Sequence, residues 1–272
     1  MLKKIFSNTA AITVTLSLAL FATACTTNSS ADKQGNSTPY EQKSYSVDAG
    51  KVNQISLSTT NRKIELIQST DNEIHIDYFE NNKESYEINV TDDKELVMEA
   101  VSNKQWKDYI GLDSEKTHRD IKIAIPNSTA SDITLNTSKG DIVVSELNIA
   151  GSVHAKTSDG KIDFSNVEVD KDLNIETKND NAMLSGVSVK GSIDASLSNG
   201  DLEVTKVAVE DTLKMKAKNG DITGTIIGSY DVFDITSKAS KGKNNLPESK
   251  SGGDKKLEVS TNNGDIDLTF VD

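Results

Sequence analysis

The sequence predicts an all-β chain, a single-stranded β-solenoid (β-helix) of about 20-residue coils with an N-terminal antiparallel β cap. Three observations predict it. A turn motif recurs at Ser138-Lys-Gly140-Asp-Ile142, Ser158-Asp-Gly160-Lys-Ile162, Ser198-Asn-Gly200-Asp-Leu202 and Lys218-Asn-Gly220-Asp-Ile222. A degenerate copy, Lys178-Asn-Asp180-Asn-Ala182, falls in register among them, and Asn262-Asn-Gly264-Asp-Ile266 follows an insertion. Between the turns apolar and polar residues alternate with period 2, the mark of half-buried strands. Fixed-period self-similarity marks a repeat architecture, in which each unit buries its apolar face only by stacking on its neighbours.

The chain opens with an address. Lys3 and Lys4 precede the apolar stretch Ile12 to Ala24, which reads as a secretory signal over residues 1–24. It ends at Ala22-Thr-Ala24-Cys25, followed by a polar run, and small residues before a cysteine resemble the lipobox of bacterial lipoproteins. That resemblance implies that Cys25 is acylated and begins the mature chain, so the membrane is a partner through an N-terminal lipid. Leu is commonest where Ala22 stands. Cys25 is the only cysteine, which excludes an internal disulfide framework. Residues 25–44 are rich in Ser, Asn, Thr and Gln and read as a disordered tether.

Residues 45–126 form the cap region. Alternation is clear in Glu73-Ile-His-Ile-Asp-Tyr78, Tyr86-Glu-Ile-Asn-Val90 and Ile121-Lys-Ile-Ala-Ile125, while Lys104 to Leu112 is the least regular stretch. Thr59-Thr-Asn-Arg62-Lys-Ile64-Glu-Leu66 reads as an early, diverged copy of the repeat.

Residues 127–272 hold the repeats, with an irregular Lys/Ser/Gly-rich loop at 238–256. Adding 20 to each position gives columns: Ile142, Ile162, Ala182, Leu202, Ile222; then Val144, Phe164, Leu184, Val204, Gly224; then Leu147, Val167, Val187, Val207, Ile227; and Val153, Leu173, Ile193, Leu213, Phe233. Nearly every inward slot is aliphatic. Three short strands per coil are expected, with corners at the Gly140-type turn, at Gly151 and Gly191, and at a kink near Ser145. The Gly140 corner is read as a position of positive φ, which Gly, Asn or Asp adopts most cheaply. Ser237 and Thr261 are read as equivalent positions on either side of the insertion.

Charge narrows the partners. The chain carries 30 basic and 42 acidic residues, a formal −12, and loss of Lys3 and Lys4 makes it −14. Such an acidic surface argues against nucleic acid and against direct docking on anionic lipid. Arg62 and Arg119 are the only arginines, and His75, His118 and His154 are scattered. No nucleophile–base order, phosphate loop or metal motif stands out, so no catalytic residue, metal or cofactor is assigned. The Asp141, Lys161, Asn181, Asp201, Asp221 column leaves Asp201 and Asp221 as stacked like charges that a cation would relieve. Its neighbour reads Lys139, Asp159, Asn179, Asn199, Asn219; in the first two coils Lys139 with Asp159 and Asp141 with Lys161 read as charge compensation across one rung, which gives way to an asparagine ladder.

The strand Ile121-Lys-Ile-Ala-Ile-Pro126 followed by Thr-Ser-x-Gly-Asp-Ile coils resembles a bacterial envelope family named as a "putative adhesin" domain of unknown function, over residues from about 45 to the end. The resemblance implies a non-catalytic lipoprotein or membrane-anchored protein at the cell surface, working by adhesion or contact with an envelope protein or glycan. The competing expectation is a regulatory or sensory lipoprotein of the envelope stress response that binds a wall component, an antimicrobial peptide or a sensor protein. Trp106, Tyr109 and Ile110 are the expected partner contact, since the coils are nearly free of aromatic residues.

Overall fold

The computed structural model describes residues 39–102, 120–127 and 132–272. β1 (Glu41–Asp48) is the first strand among the described residues, and it begins inside the 25–44 stretch read as tether. β2 (Gln54–Ser58) and β3 (Ile64–Gln68) form a first coil, and β4 (Glu73–Glu80) returns antiparallel to β1. β5 (Glu84–Val90) and β6 (Glu95–Ser102) make an antiparallel pair. β7 (Ile121–Ile125) runs parallel to β3 and antiparallel to β4. The cap is therefore mixed. Its inner strands already run with the coils, because β2 and β3 carry the repeat's own apolar spacing.

The coils follow as β8 (Asp132–Asn136), β9 (Ile142–Ile149), β10 (Val153–Lys156), β11 (Ile162–Val169), β12 (Leu173–Thr177), β13 (Ala182–Val189), β14 (Ile193–Asn199), β15 (Leu202–Val209) and β16 (Thr212–Asn219). Each pairs in parallel with the strand one coil away: Ile162 lies between Ile142 and Ala182, and Leu173 between Val153 and Ile193. The register confirms the 20-residue coil. The diverged copy is also a real rung, since Ile64 pairs with Ile142 and Leu66 with Val144.

Each coil has two strands rather than the expected three. The third corner survives as a kink inside the longer strand, at Glu146, Asn166, Gly186 and Lys206, whose φ values are 56°, 53°, 63° and 54°. The β9–β11 ladder skips Glu146 and Asn166, and one left-handed residue resets the alternation. Val144 and Leu147, three apart, both point inward and are fully buried.

The last strands are β17 (Ile222–Ile227), β18 (Phe233–Ala239), β19 (Ser249–Lys250), β20 (Lys255–Asn263) and β21 (Ile266–Val271). β17 lacks the kink residue, so Ile226 and not Ile227 pairs with Val207. Ile226 is buried, whereas Ile227 is 39% exposed. One sheet runs β1-β4-β7-β3-β9-β11-β13-β15-β17-β21 and the other β19-β18-β20-β16-β14-β12-β10-β8-β2-β6-β5.

That second order overturns the last column. Phe233 does not stack on Leu213; Leu257 of β20 does, and Ile235 of β18 stacks on Leu257 from outside. Ala239, not Ser237, is the partner of Thr261. The column reading assumed that stacking order equals chain order, and here the final two coils are exchanged. β18 is the outermost coil strand. Phe233 packs there on Phe270 at 5.6 Å, which turns edge-on to Tyr230 at 5.4 Å, and together they close the core.

The 238–256 stretch is accordingly a cap. Asn244 bridges Ile266, and the Asn245 side chain donates to Leu268 O (2.9 Å) and accepts from Leu268 N–H (3.1 Å), as a neighbouring peptide would. β19 pairs antiparallel on β18, covering an edge that would otherwise recruit other strands.

Candidate functional site

The Gly-Asp motifs are the most conspicuous polar feature, and the coil geometry accounts for them. A Cβ at Gly140 would lie 1.7 Å from Arg62 O, at Gly160 2.0 Å from Gly140 O, and at Gly220 1.9 Å from Gly200 O. The column continues through Gly264, 2.1 Å from Gly220 O, to Gly242, 1.9 Å from Gly264 O. Close backbone approach is thus the common requirement. Positive φ is not: it occurs at Gly200 (132°), Gly220 (156°) and Gly264 (159°), but not at Gly140, Gly160 or Asp180. The expected left-handed corner holds only in the later coils.

Buried threonines brace the same corner. Thr157 Oγ1 donates to Gly140 O at 3.0 Å, Thr177 to Gly160 O at 3.1 Å and Thr261 to Gly220 O at 2.9 Å.

Asp201 and Asp221 belong to this bracing. Asp201 Oδ1 accepts the N–H of Asp221 at 2.9 Å, and Asp221 Oδ1 that of Asp265 at 2.7 Å; Asp265 Oδ1 accepts Lys243 N–H at 2.7 Å. Each carboxylate is spent on the next coil's backbone. The expected Asp141–Lys161 compensation runs the same way, through the Lys161 backbone N–H at 2.9 Å rather than its ammonium. The asparagine ladder is present: Asn179 Nδ2 donates to Asp159 Oδ1 (2.7 Å), Asn199 to Asn179 (3.0 Å), Asn219 to Asn199 (2.7 Å) and Asn263 to Asn219 (2.5 Å).

Three further polar groupings were not picked out from the sequence. At the β3–β4 turn, Asp71, Glu73 and His75 form the one cluster of metal-ligand type among the described residues. His75 Nε2 lies 2.9 and 3.0 Å from the two Asp71 oxygens, and Asp71 Oδ1 also accepts Glu73 N–H at 2.9 Å. The Glu73 N–H foremost, then His75, pulls the Asp71 carboxyl below its usual range. The alternation Glu73-Ile-His75 was the available signal, since it places both side chains on one strand face.

The second grouping is centred on Arg62, which is buried and pairs with Glu84; Tyr40 also donates to Glu84, and the guanidinium lies 5.4 Å from the Tyr40 ring centroid. Burial opposes its charge, yet Tyr86, Glu84 and Tyr40 together hold its pKa above the ordinary arginine value. Glu84 is 22 residues away in sequence, so nothing local signals the pair.

The third is a shallow depression of about 340 Å³ on the outer face of β16, β20 and β18, lined by Lys214, Lys216, Lys238, Glu258 and Ser260 among others. It exists because of the strand exchange, which sets Ser260 between Lys216 and Lys238. Lys214 is tied to Asp194 at 2.6 Å.

His154 occupies an outward slot, as its alternation implies, opposite Thr134 and Asn174. Cys25, His118 and the expected contact residues Trp106, Tyr109 and Ile110 lie outside the described residues.

The Toastrack DUF4097 family model matches residues 52–152 and 120–269, which covers the cap and the coils. The chain belongs to the Toastrack DUF4097 family. The overlap of the two matches runs from β7 through β9, where the Toastrack cap passes into its regular coils. No curated protein matches the chain. Among solved structures, it is similar to a "putative cell adhesion protein" from Clostridium sporogenes, with 12% identity over 86% of this chain and 100% of that one and a TM-score of 0.39. A "putative adhesin" from Bacteroides fragilis gives 14% identity, 85% and 97% coverage and a TM-score of 0.42. Another from Parabacteroides merdae gives 12%, 85% and 96%, and 0.35.

Proposed function

We propose that this Toastrack protein is a non-catalytic surface protein of the bacterial envelope, held to the membrane by a lipid on Cys25. Its work is to present the outer faces of a rigid solenoid for adhesion or protein–protein contact. The observation that carries this reading is the fate of the conspicuous carboxylates and amides. From Asp141 through Asp265 they serve as rungs between coils, which leaves a scaffold whose offering is its surface.

Membrane retention tests the anchor. Cys25→Ala is expected to move the protein from the membrane fraction into the medium, and full retention on the membrane would sink the lipid assignment. Contact is tested by binding of the purified chain to isolated envelopes, compared with Trp106→Ala. Unchanged binding of that variant would remove Trp106 from the contact surface.

A further inference from the structure

Asn-Gly occurs three times, at Asn199-Gly200, Asn219-Gly220 and Asn263-Gly264, always at the corner of a coil. In that dipeptide the glycine amide nitrogen meets the least steric resistance on approaching the asparagine Cγ, because glycine has no Cβ. The reaction forms an N–Cγ bond, breaks the Cγ–Nδ2 bond and expels ammonia, which carries away the amide proton. The resulting succinimide is opened by water at either carbonyl, giving aspartate or isoaspartate. Ring closure requires the glycine N–H to leave its acceptor and the asparagine amide to leave its own partners.

The three sites differ in how firmly those groups are held. Asn199 Nδ2 donates to Asn179 Oδ1, its Oδ1 accepts Asn219 Nδ2 at 2.7 Å, and Gly200 N–H donates to Asn219 O at 2.9 Å. Asn219 is held alike: its Oδ1 accepts Asn263 Nδ2 at 2.5 Å, and Gly220 N–H donates to Asn263 O at 2.9 Å. At Asn263 the ladder ends. The next corner is Lys241-Gly242, supplied by the exchanged coil, and a lysine has no amide with which to continue it. Among the described residues nothing donates to Asn263 Oδ1 and nothing accepts from Gly264 N–H. Asn263 is also exposed.

We propose that Asn263 is a site of spontaneous deamidation, and that Asn199 and Asn219 are protected by their place inside the ladder. The product changes the end of the solenoid. A carboxylate at 263 can no longer donate to Asn219 Oδ1, and it adds charge beside the Asp221–Asp265 rungs. Isoaspartate also lengthens the main chain between β20 and β21, at the corner on which Gly242 stacks.

The test is peptide mapping by mass spectrometry of the purified full chain, aged in mildly alkaline buffer, with aspartate and isoaspartate counted at all three sites. Two hydrogen bonds of ordinary net strength separate Asn263 from the inner sites, which corresponds to conversion about 30-fold faster at 263. In denaturant the three rates should converge, since the difference belongs to the fold. Lys241→Asn supplies the missing rung and a new Asn-Gly at the ladder's end, so conversion should slow at 263 and move to 241. Equal rates at the three sites in the folded wild type would overturn the proposal. So would a Lys241→Asn chain that converts at 263 as before and stays intact at 241.

Discussion

Among the described residues the corner column opens on Arg62 at its N-terminal end, whereas at its C-terminal end it runs on in glycine through Gly264 to Gly242. In this column a Cβ points toward the preceding corner: that of Gly140 would strike Arg62 O, and that of Gly242 would strike Gly264 O. Arg62 is the first member among the described residues, and its carbonyl accepts the Thr137 hydroxyl at 3.3 Å. That position carries a long side chain, whose guanidinium is held by Glu84 and Tyr40. The last member, Gly242, admits no side chain, since its Cβ would lie 1.9 Å from Gly264 O. The C-terminal end is closed by backbone and amide groups instead, from Gly242, Asn245 and β19. One stacking direction thus makes two unlike ends.

The sharpest way to break this contrast is at the centre, with Gly160→Ala. Its Cβ would lie 2.0 Å from Gly140 O and 2.5 Å from its carbonyl carbon, both backbone atoms of a packed coil. Two coils must separate to admit it, and we expect a loss of more than about 4 kcal/mol, read from the denaturant midpoint. A variant as stable as wild type would mean that the corners are not in close approach.

Arg62→Ala should cost somewhat less, about 3 kcal/mol, because it breaks a buried ion pair and takes the guanidinium from Glu84, whose side chain is only 14% exposed. Arg62→Met with Glu84→Met should recover most of that loss. If the double variant is no better than Arg62→Ala, the cost lies in packing and not in the broken ion pair.

These residues also show what was legible in the sequence. The 20-residue period, the inward columns and the asparagine ladder could be read because each depends on a fixed offset along one chain. Ile226, Phe233 and Ala239 escaped because one deleted kink and one exchange of coil order break that offset, and both are decided by which edge a strand finds. The glycine corner was recognised for partly the wrong reason: Gly140 and Gly160 answer to a neighbouring coil's carbonyl, which local φ preference cannot reveal. Arg62 carried no signal beyond its rarity, since its carboxylate partner sits on a distant strand.

Asp163 supplies the smallest expected effect and extends the contrast from the corners to a sheet face. It lies between Val143 and Met183 on the outward side of its sheet, and its Oδ1 is buried without a hydrogen-bond partner. Burial pushes its carboxyl pKa up. The native state therefore holds that proton more tightly than the unfolded chain does. The penalty is absent below the unfolded value, about 3.9, and complete above the raised native one. Asp163→Val, matching Val143, should raise the melting temperature at neutral pH, with the gain shrinking toward its small packing contribution as the pH falls through the native pKa. Asp71 and Asp132, whose carboxyls are held low by the backbone N–H groups of Glu73 and Ser152, lose their own contribution in acid, but equally in both proteins. The difference between the two melting curves over a pH series thus isolates Asp163. A difference that does not change with pH would show that the carboxylate is solvated in the native state.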